Sequence, residues 1–490
     1  MKNGYRPGMR QLSSLDAQFL ALENPRQTGH VASLGVYDTS TAPGGELTAA
    51  DMKQLLTDRL HLLPPLRWRL VDVPFNADYP YWVDDPDFDL DFHVRELALP
   101  SPGDEHQLAE QIARLHSRPL DRARPLWELY VISGLLDGHT AVYTKIHHAV
   151  IDGVSGAEIT GMLLDLTPEI RQIPPEQPLT AGRRPSGVEM LARAALGLPR
   201  YPLRFVRSIP SAIPNLEDTQ LAAIPGAVSL GRAVSRVQSL VGGPERVERA
   251  SLKTPKTSFN TRISPHRRFA FGQLDLDRVK AVKSAYDVTV NDVIVTICAG
   301  AVRRWLKEHH ELPREPLVAQ IPVSVRTTEQ AGTYGNRILM LGVPLFTDIK
   351  DPVKRLQRTS QELQVMKDRH RALPAQLLQD VNHFIPPALF SRAARATFRL
   401  ATTVGRPQWN LVISNVPGPQ FPLYCAGARM VAHYPVSVIT DGIGLNITAM
   451  SYDGHVDIGI IADRDQMPDV WRLISWLDDS LAELEKAVDA

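Results

Sequence analysis

Cysteine is nearly absent: Cys298 and Cys425 are the only two in 490 residues. They lie far apart and show no metal-ligand spacing, which excludes a disulfide framework and a cysteine zinc site. Such sparse use suits a reducing compartment, so a cytoplasmic location is the expectation. Net charge is absent too. Lys plus Arg and Asp plus Glu each number 54, so no overall field draws in nucleic acid, and no nucleic-acid partner is expected. Long apolar runs are also missing. The longest, "DVIVTICAGAV" (Asp292 to Val302), falls short of the roughly 18 residues a bilayer span needs. The first residues, "MKNGYRPGMRQLSSLDAQFLALENP", hold no apolar core followed by a small-residue cleavage site, so no signal peptide is read there. Short repeats and low-complexity tracts do not occur. A folded protein is expected, soluble or bound to a membrane surface.

Hydrophobic residues make up 43% of the chain, enough for packed cores. The length exceeds one ordinary core, and two α/β domains are expected. Residues 1–175 form the first. There "LDAQFLALE" has helical spacing with Leu15, Phe19 and Leu22 on one face, and "HVASLGVYD" reads as a strand. "GDEHQLAEQIARLHS" is an amphipathic helix with a stripe of Leu108, Ile112 and Leu115. "LWELYVISGL" and "HTAVYTKIHHA" are strands joined by "LDGH", and "GVSGAEITGMLLDL" reads as a helix. Residues 176–265 are rich in proline and arginine, as in "QIPPEQPLTAGRRPSG", and read as an inter-domain linker carrying short helices. Residues 266–490 form the second domain. Its strands are "RRFAFGQLDL", "LVAQIPVSVR", "RILMLGVPLF", "WNLVISNVPGP", "ARMVAHYPVSV", "GLNITAMSYDG" and "HVDIGIIAD". Its helices are "VNDVIVTICAGAVRRWLKEHH", "DPVKRLQRTSQELQVMKDRH" and "VWRLISWLDDSLAELEKAV".

"KIHHAVIDGVSG" (Lys145 to Gly156) concentrates the chemistry. Adjacent strand residues point to opposite faces, so His147 and His148 divide into one residue for a site and one for the structure. Gly153 permits a tight turn, and Asp152 can fold back beneath His148 to fix its ring. No companion cluster of Cys, His or Glu supports a metal, and none is expected. A second pair, His309 and His310 in "KEHHELP", has charged flanks and no Asp-Gly after it, and reads as the solvated end of a helix.

The pattern His-His-x-x-x-Asp-Gly resembles the signature of CoA-dependent acyltransferases and condensation domains. With "SSLDAQFLALENP", "PLDRARPLWELYVI", "VNDVIVTICAGAVRRW", "IPVSVR", "LVISNVPGPQFPLYCAGARM" and "GIGLNITAMSYDG", the chain resembles the bacterial wax ester synthase/diacylglycerol acyltransferase family outside its linker. That resemblance implies two chloramphenicol-acetyltransferase-like α/β domains joined by a long crossover, with the site between them. It implies acyl-CoA as a co-substrate, no cofactor, and diacylglycerol or a long-chain alcohol as acceptor. It also implies a place at the inner face of the membrane or on lipid inclusions.

Acyl transfer to an alcohol needs a base and a stabiliser of the oxyanion. His148 is the expected base, because a histidine pKa lies near the working pH. Gly-x-Ser-x-Gly is absent and Ser155 lacks elbow spacing, so direct transfer without an acyl-enzyme is expected. In the wider superfamily the aspartate matching Asp152 pairs with an arginine; Arg326 and Arg124 are both candidates. Asn291 and Asp292 open a helix and read either as its cap or, for Asn291, as an oxyanion donor. Pro125, Leu126 and Trp127 read as core or channel wall, and "SNVPGP" as a strand-ending turn. A non-catalytic lipid-binding protein of the same fold is the rival from another class.

Overall fold

The computed structural model describes residues 9–151, 159–174, 186–197, 254–324, 338–371 and 407–488. Asp152, Gly153, Ser155 and Arg326 lie outside these, as do most of the helix expected after the motif and most of the linker. In the first half the strands are β1 (Arg10–Gln11), β2 (His30–Asp38), β3 (Trp68–Val71), β4 (Tyr81–Asp84), β5 (Val94–Ala98), β6 (Trp127–Ser133) and β7 (Thr140–His147). In the second half they are β8 (Arg267–Asp275), β9 (Leu317–Ser324), β10 (Ile338–Leu345), β11 (Leu411–Val416), β12 (Tyr424–Cys425), β13 (Ala428–Val436), β14 (Leu445–Tyr452) and β15 (His455–Asp463). The helices used below are α1 (Ser14–Leu22), α2 (Ala49–Arg59), α3 (Glu105–Ser117), α4 (Gly187–Gly197), α5 (Leu276–Ala285), α6 (Val290–Glu308), α7 (Pro352–Arg371) and α8 (Trp471–Val488).

Among the described residues two six-stranded sheets stand out, in the orders β12-β13-β2-β7-β6-β5 and β10-β9-β11-β14-β15-β8. The first sheet does not follow chain order. β13 comes from the second half yet runs antiparallel to β2, with His433 opposite Gly35. β12 pairs antiparallel with β13, Tyr424 opposite Arg429, and backbone bonds of 2.8 Å in each direction tie Tyr424 to Asp165 of the first half. A strand from one half thus completes the sheet that carries the histidines.

Helices α5 to α8 cover one face of the second sheet. From Val293 to Val302 α6 is buried on every side and carries no charge, with Val293, Ile297, Ala301 and Val302 wholly inside. Thr289 and Asp292 start it with reciprocal side chain-to-backbone bonds. Past its end, His309 stacks on Trp305 and His310 stands exposed, as the charged flanks suggest. The other face of the second sheet meets the first sheet across α3. There Leu108, Ile112 and Leu115 pack with Tyr143, Phe269, Phe271 and Tyr434, so the expected stripe of α3 is the buried one.

The stripe expected for α1 differs. Leu15 lies outside the described side chains; among those described, Ala17 and Leu20 are the buried apolar residues, whereas Phe19 and Leu22 are half-buried. Phe19 is drawn sideways because its ring covers His148. A small third sheet, β1-β4-β3, was not foreseen; α4 lies on it through Met190, which packs with Val71, Val73, Tyr81 and Val83.

Candidate active site

β7 ends on the first histidine, and the backbone there is held from both sides. The His147 N–H donates to the Leu126 carbonyl at 2.9 Å, and the His148 N–H donates to the Gly29 carbonyl at 2.8 Å. His147 also sits opposite His30 in the β2–β7 register. After His147 the chain turns at once: the Val150 N–H donates to the His147 carbonyl at 2.9 Å.

The His147 ring is buried, with its Nδ1 accepting the Ala149 N–H at 3.0 Å. The ring proton then belongs on Nε2, which lies 3.2 Å from Glu23 Oε1. That contact is a close electrostatic one, off the N–H direction. Glu23 is held more firmly elsewhere. Its Oε1 accepts the Gly29 N–H at 2.7 Å and its Oε2 accepts Arg122 at 2.7 Å. Arg122 also donates to the Leu20 carbonyl at 2.8 Å. Burial pushes the Glu23 carboxyl up, but His147, Arg122 and the Gly29 amide outweigh it and bring the pKa down to about 2. His147 is therefore braced from two directions, which suits a structural part.

His148 has a different setting. Its ring is half-buried and lies flat on Phe19, with centroids 4.2 Å apart and planes 5° from parallel. Phe19 and Glu23 are one helical turn apart, so the end of α1 serves both histidines. The turn after α1 is in turn gripped by the second half of the chain. Arg267 donates to the Arg26 carbonyl, the Asp441 N–H donates to Gln27 Oε1 at 3.1 Å, and Arg26 lies 3.7 Å from Asp441.

Beneath His147, two residues back on the same side of β7, Lys145 is fully buried. Its Nζ donates to the Leu115 and Arg118 carbonyls at 3.2 and 3.1 Å and lies 3.1 Å from Glu128. Burial lowers its pKa, with Glu128 opposing. His116, bonded to the Tyr143 hydroxyl and the Ser437 carbonyl, is brought down to about 3 by burial and the nearby cations Lys145 and Arg267. His30 is pushed well below its usual value, mainly by burial. Both rings are thus neutral supports at ordinary pH.

The other candidates fall into place around these two. Asp292 is buried, caps Thr289 and accepts the Ser360 hydroxyl at 3.0 Å, which gives it the cap role. Asn291 takes no part in that cap. Its Oδ1 accepts Asn415 Nδ2 at 3.4 Å, a bond that consumes its acceptor and none of its donors. Arg124 stacks on Phe92 and lies 3.8 and 3.9 Å from Asp89 and Asp121. Pro125, Leu126 and Trp127 are buried in the core; the Leu126 carbonyl anchors His147, and the Trp127 indole N–H donates to the Leu66 carbonyl at 2.7 Å. Among the described residues, no group of three His, Cys, Asp or Glu side chains could hold a metal ion.

Glu23, Arg122, Gly29 and the stacking role of Phe19 escaped the sequence reading. The one available signal was a glutamate placed at the end of a helix, just before Asn-Pro.

Comparison with known proteins adds a further finding. Residues 12–294 match the wax ester synthase/diacylglycerol acyltransferase catalytic domain, and residues 334–485 match the C-terminal domain of the same proteins. The chain is 37% identical over 486 residues to a putative diacylglycerol O-acyltransferase of Mycobacterium tuberculosis (strain H37Rv), spanning 98% of this chain and 91% of that one. It is 32% identical over 483 residues to the O-acyltransferase WSD of Acinetobacter baylyi, with 98% of each chain covered. The solved wax ester synthase/diacylglycerol acyltransferase of Marinobacter aquaeolei VT8 superposes with a TM-score of 0.69 at 29% identity, over 98% of this chain and all of that one.

Proposed function

Since the chain belongs to the wax ester synthase/diacylglycerol acyltransferase family, we propose that it transfers a long-chain acyl group from acyl-CoA to the hydroxyl of 1,2-diacylglycerol. The products are triacylglycerol and free CoA. Acyl-CoA is a co-substrate, and the reaction needs no metal or other cofactor. Long-chain alcohols are the second acceptor class; the likeness to the Acinetobacter and Marinobacter proteins supports that reading, with wax esters as the product. Work at a lipid surface suits both, because both acceptors dissolve in lipid rather than water.

The observation that carries the mechanism is the contrast between the two histidines. His147 is locked into the fold through Ala149 and Glu23, whereas His148 presents a half-buried ring stacked on Phe19. In this reading His148 takes the proton from the acceptor hydroxyl as that oxygen attacks the thioester carbonyl. A tetrahedral oxyanion forms, and the Asn291 amide donates to it. The carbon–sulfur bond then breaks, and the proton on His148 passes to the departing CoA thiolate. One ester bond forms, one thioester bond is lost, and the base returns to its starting state. Transfer is direct, with no acyl group on the protein.

An acceptor competition tests this function. Purified protein receives one labelled long-chain acyl-CoA with diacylglycerol and hexadecanol together. Label in triacylglycerol exceeding label in wax ester supports the reading; the reverse makes the alcohol the main acceptor. Release of free fatty acid alone would oppose both.

A further inference from the structure

We propose that Phe19 is a positioning residue for the reaction: its ring fixes the plane in which His148 takes up and returns the proton. The inference deepens the proposed function, since it rests on His148 as the base. The ring torsion of histidine is soft, with a broad two-fold preference, so the ring plane must be set by its surroundings. The transferred proton travels in that plane, along a nitrogen lone pair. A neighbour stacked on the face fixes the plane and leaves the ring edge open, whereas a neighbour at the edge would obstruct it. Phe19 is stacked on the face, with centroids 4.2 Å apart and planes 5° from parallel.

Packing does not account for Phe19. It is half-buried and, among the described residues, joins none of the hydrophobic cores, although Leu20 beside it does. The helix that carries it is held still. Ser13 caps the start of α1, its hydroxyl accepting the Asp16 N–H at 3.1 Å. At the other end, Arg122 donates to the Leu20 carbonyl at 2.8 Å and the Gln27 amide donates to the Leu22 carbonyl at 3.2 Å. A flat plate orients a ring only if the plate itself stays in place, and these bonds supply that condition.

Gly29 sets the spacing between plate and base. Its carbonyl accepts the His148 N–H at 2.8 Å. A Cβ at this position would lie 3.2 Å from the Phe19 carbonyl oxygen and 2.8 Å from His147 Nε2. The missing side chain therefore lets α1 close on the end of β7, which is what brings the Phe19 and His148 rings face to face. One helical turn after Phe19, Glu23 braces His147. The same stretch of α1 thus fixes the backbone beneath the base and the plane of the base itself.

The test follows acyl transfer by the full chain from a labelled long-chain acyl-CoA to diacylglycerol or hexadecanol. Wild type is compared with Phe19→Leu, which keeps apolar bulk without a flat face, and with Phe19→Tyr, which keeps the face. Phe19→Leu should lose about ten- to a hundredfold in kcat, the scale of a misplaced reacting group. Its KM for acyl-CoA and its melting temperature should stay near wild type. Phe19→Tyr should restore kcat to near wild type. Combined with His148→Ala, Phe19→Leu should change the residual rate by less than about twofold, because a residue that acts only through His148 has nothing left to orient. An unchanged kcat in Phe19→Leu, a folded Phe19→Tyr as slow as Phe19→Leu, or an equal loss with and without His148 would overturn the proposal. So would a steep fall in the melting temperature of Phe19→Leu, which would assign the ring to packing. If His148→Ala alone keeps wild-type kcat, or wild type transfers no acyl group, the reading of the site fails first and this proposal falls with it.

Discussion

Replacing Glu23 with glutamine keeps the shape of the side chain and removes its charge. Three partners notice. The Gly29 N–H and Arg122 both lie at 2.7 Å, and His147 Nε2 lies at 3.2 Å. The carboxyl sits at about 2 in the folded protein, against an ordinary 4.5. That gap is worth roughly 3 kcal/mol of pH-dependent stability. Because the folded value is depressed, the contribution is complete above about pH 4.5 and disappears as the pH falls through about 2. Glutamine cannot titrate, so the variant lacks this term at every pH. Its deficit against wild type should be about 1–3 kcal/mol near neutrality, since a charge-assisted bond and a charge contact are lost. The deficit should shrink steadily below about pH 4.5 and approach zero near pH 2. Urea unfolding of both proteins, followed by tryptophan fluorescence through that range, measures it. kcat should fall about tenfold or more, because His148 shares a backbone with the ring that Glu23 braces, while the KM for acyl-CoA stays near wild type. Equal unfolding midpoints at every pH, together with an unchanged kcat, would refute the reasoning.

Lys145→Met should cost about 3 kcal/mol, since it leaves the buried Glu128 with only the longer cation contact, Arg95 at 3.7 Å, and two carbonyls without a donor. The double variant with Glu128→Leu should recover much of that loss in a denaturant titration. Asn291→Ala should lower kcat roughly a hundredfold, as loss of an oxyanion donor does, and leave the melting temperature nearly unchanged. A large drop in melting temperature would instead assign Asn291 to packing against Asn415.

Local pattern made much of the fold legible. The β-rich run "HVASLGVYD", the stripe of α3 and the apolar run of α6 all form the elements that their local sequence indicates. The pairing of β13 with β2 was not legible, because a strand carries no local mark of its distant neighbour. The small sheet β1-β4-β3 was missed for another reason. Its strands have two to four residues, and "VPFNADYPYWVDDP" breaks them with proline and aspartate. In the site, the histidine pair announced itself through its motif, and Asp292 through its place at the start of an apolar helix, where the structure makes it part of the cap. Glu23 stayed hidden because its role depends on the end of α1 meeting the end of β7, a contact made only in the folded chain. Phe19 was misread for the same reason: an aromatic residue at helical spacing reads as core until the ring beneath it is seen.

The central claim is that His148 is the base and His147 its support. Measuring acyl-CoA turnover by His148→Ala and His147→Ala, each shown by its melting curve to be folded, tests it most directly. The account predicts a loss of about two to four orders of magnitude in kcat for His148→Ala. For His147→Ala it predicts a smaller loss, accompanied by a lower melting temperature. A folded His148→Ala that keeps more than roughly a tenth of wild-type kcat, well short of what a general base supplies, would contradict it.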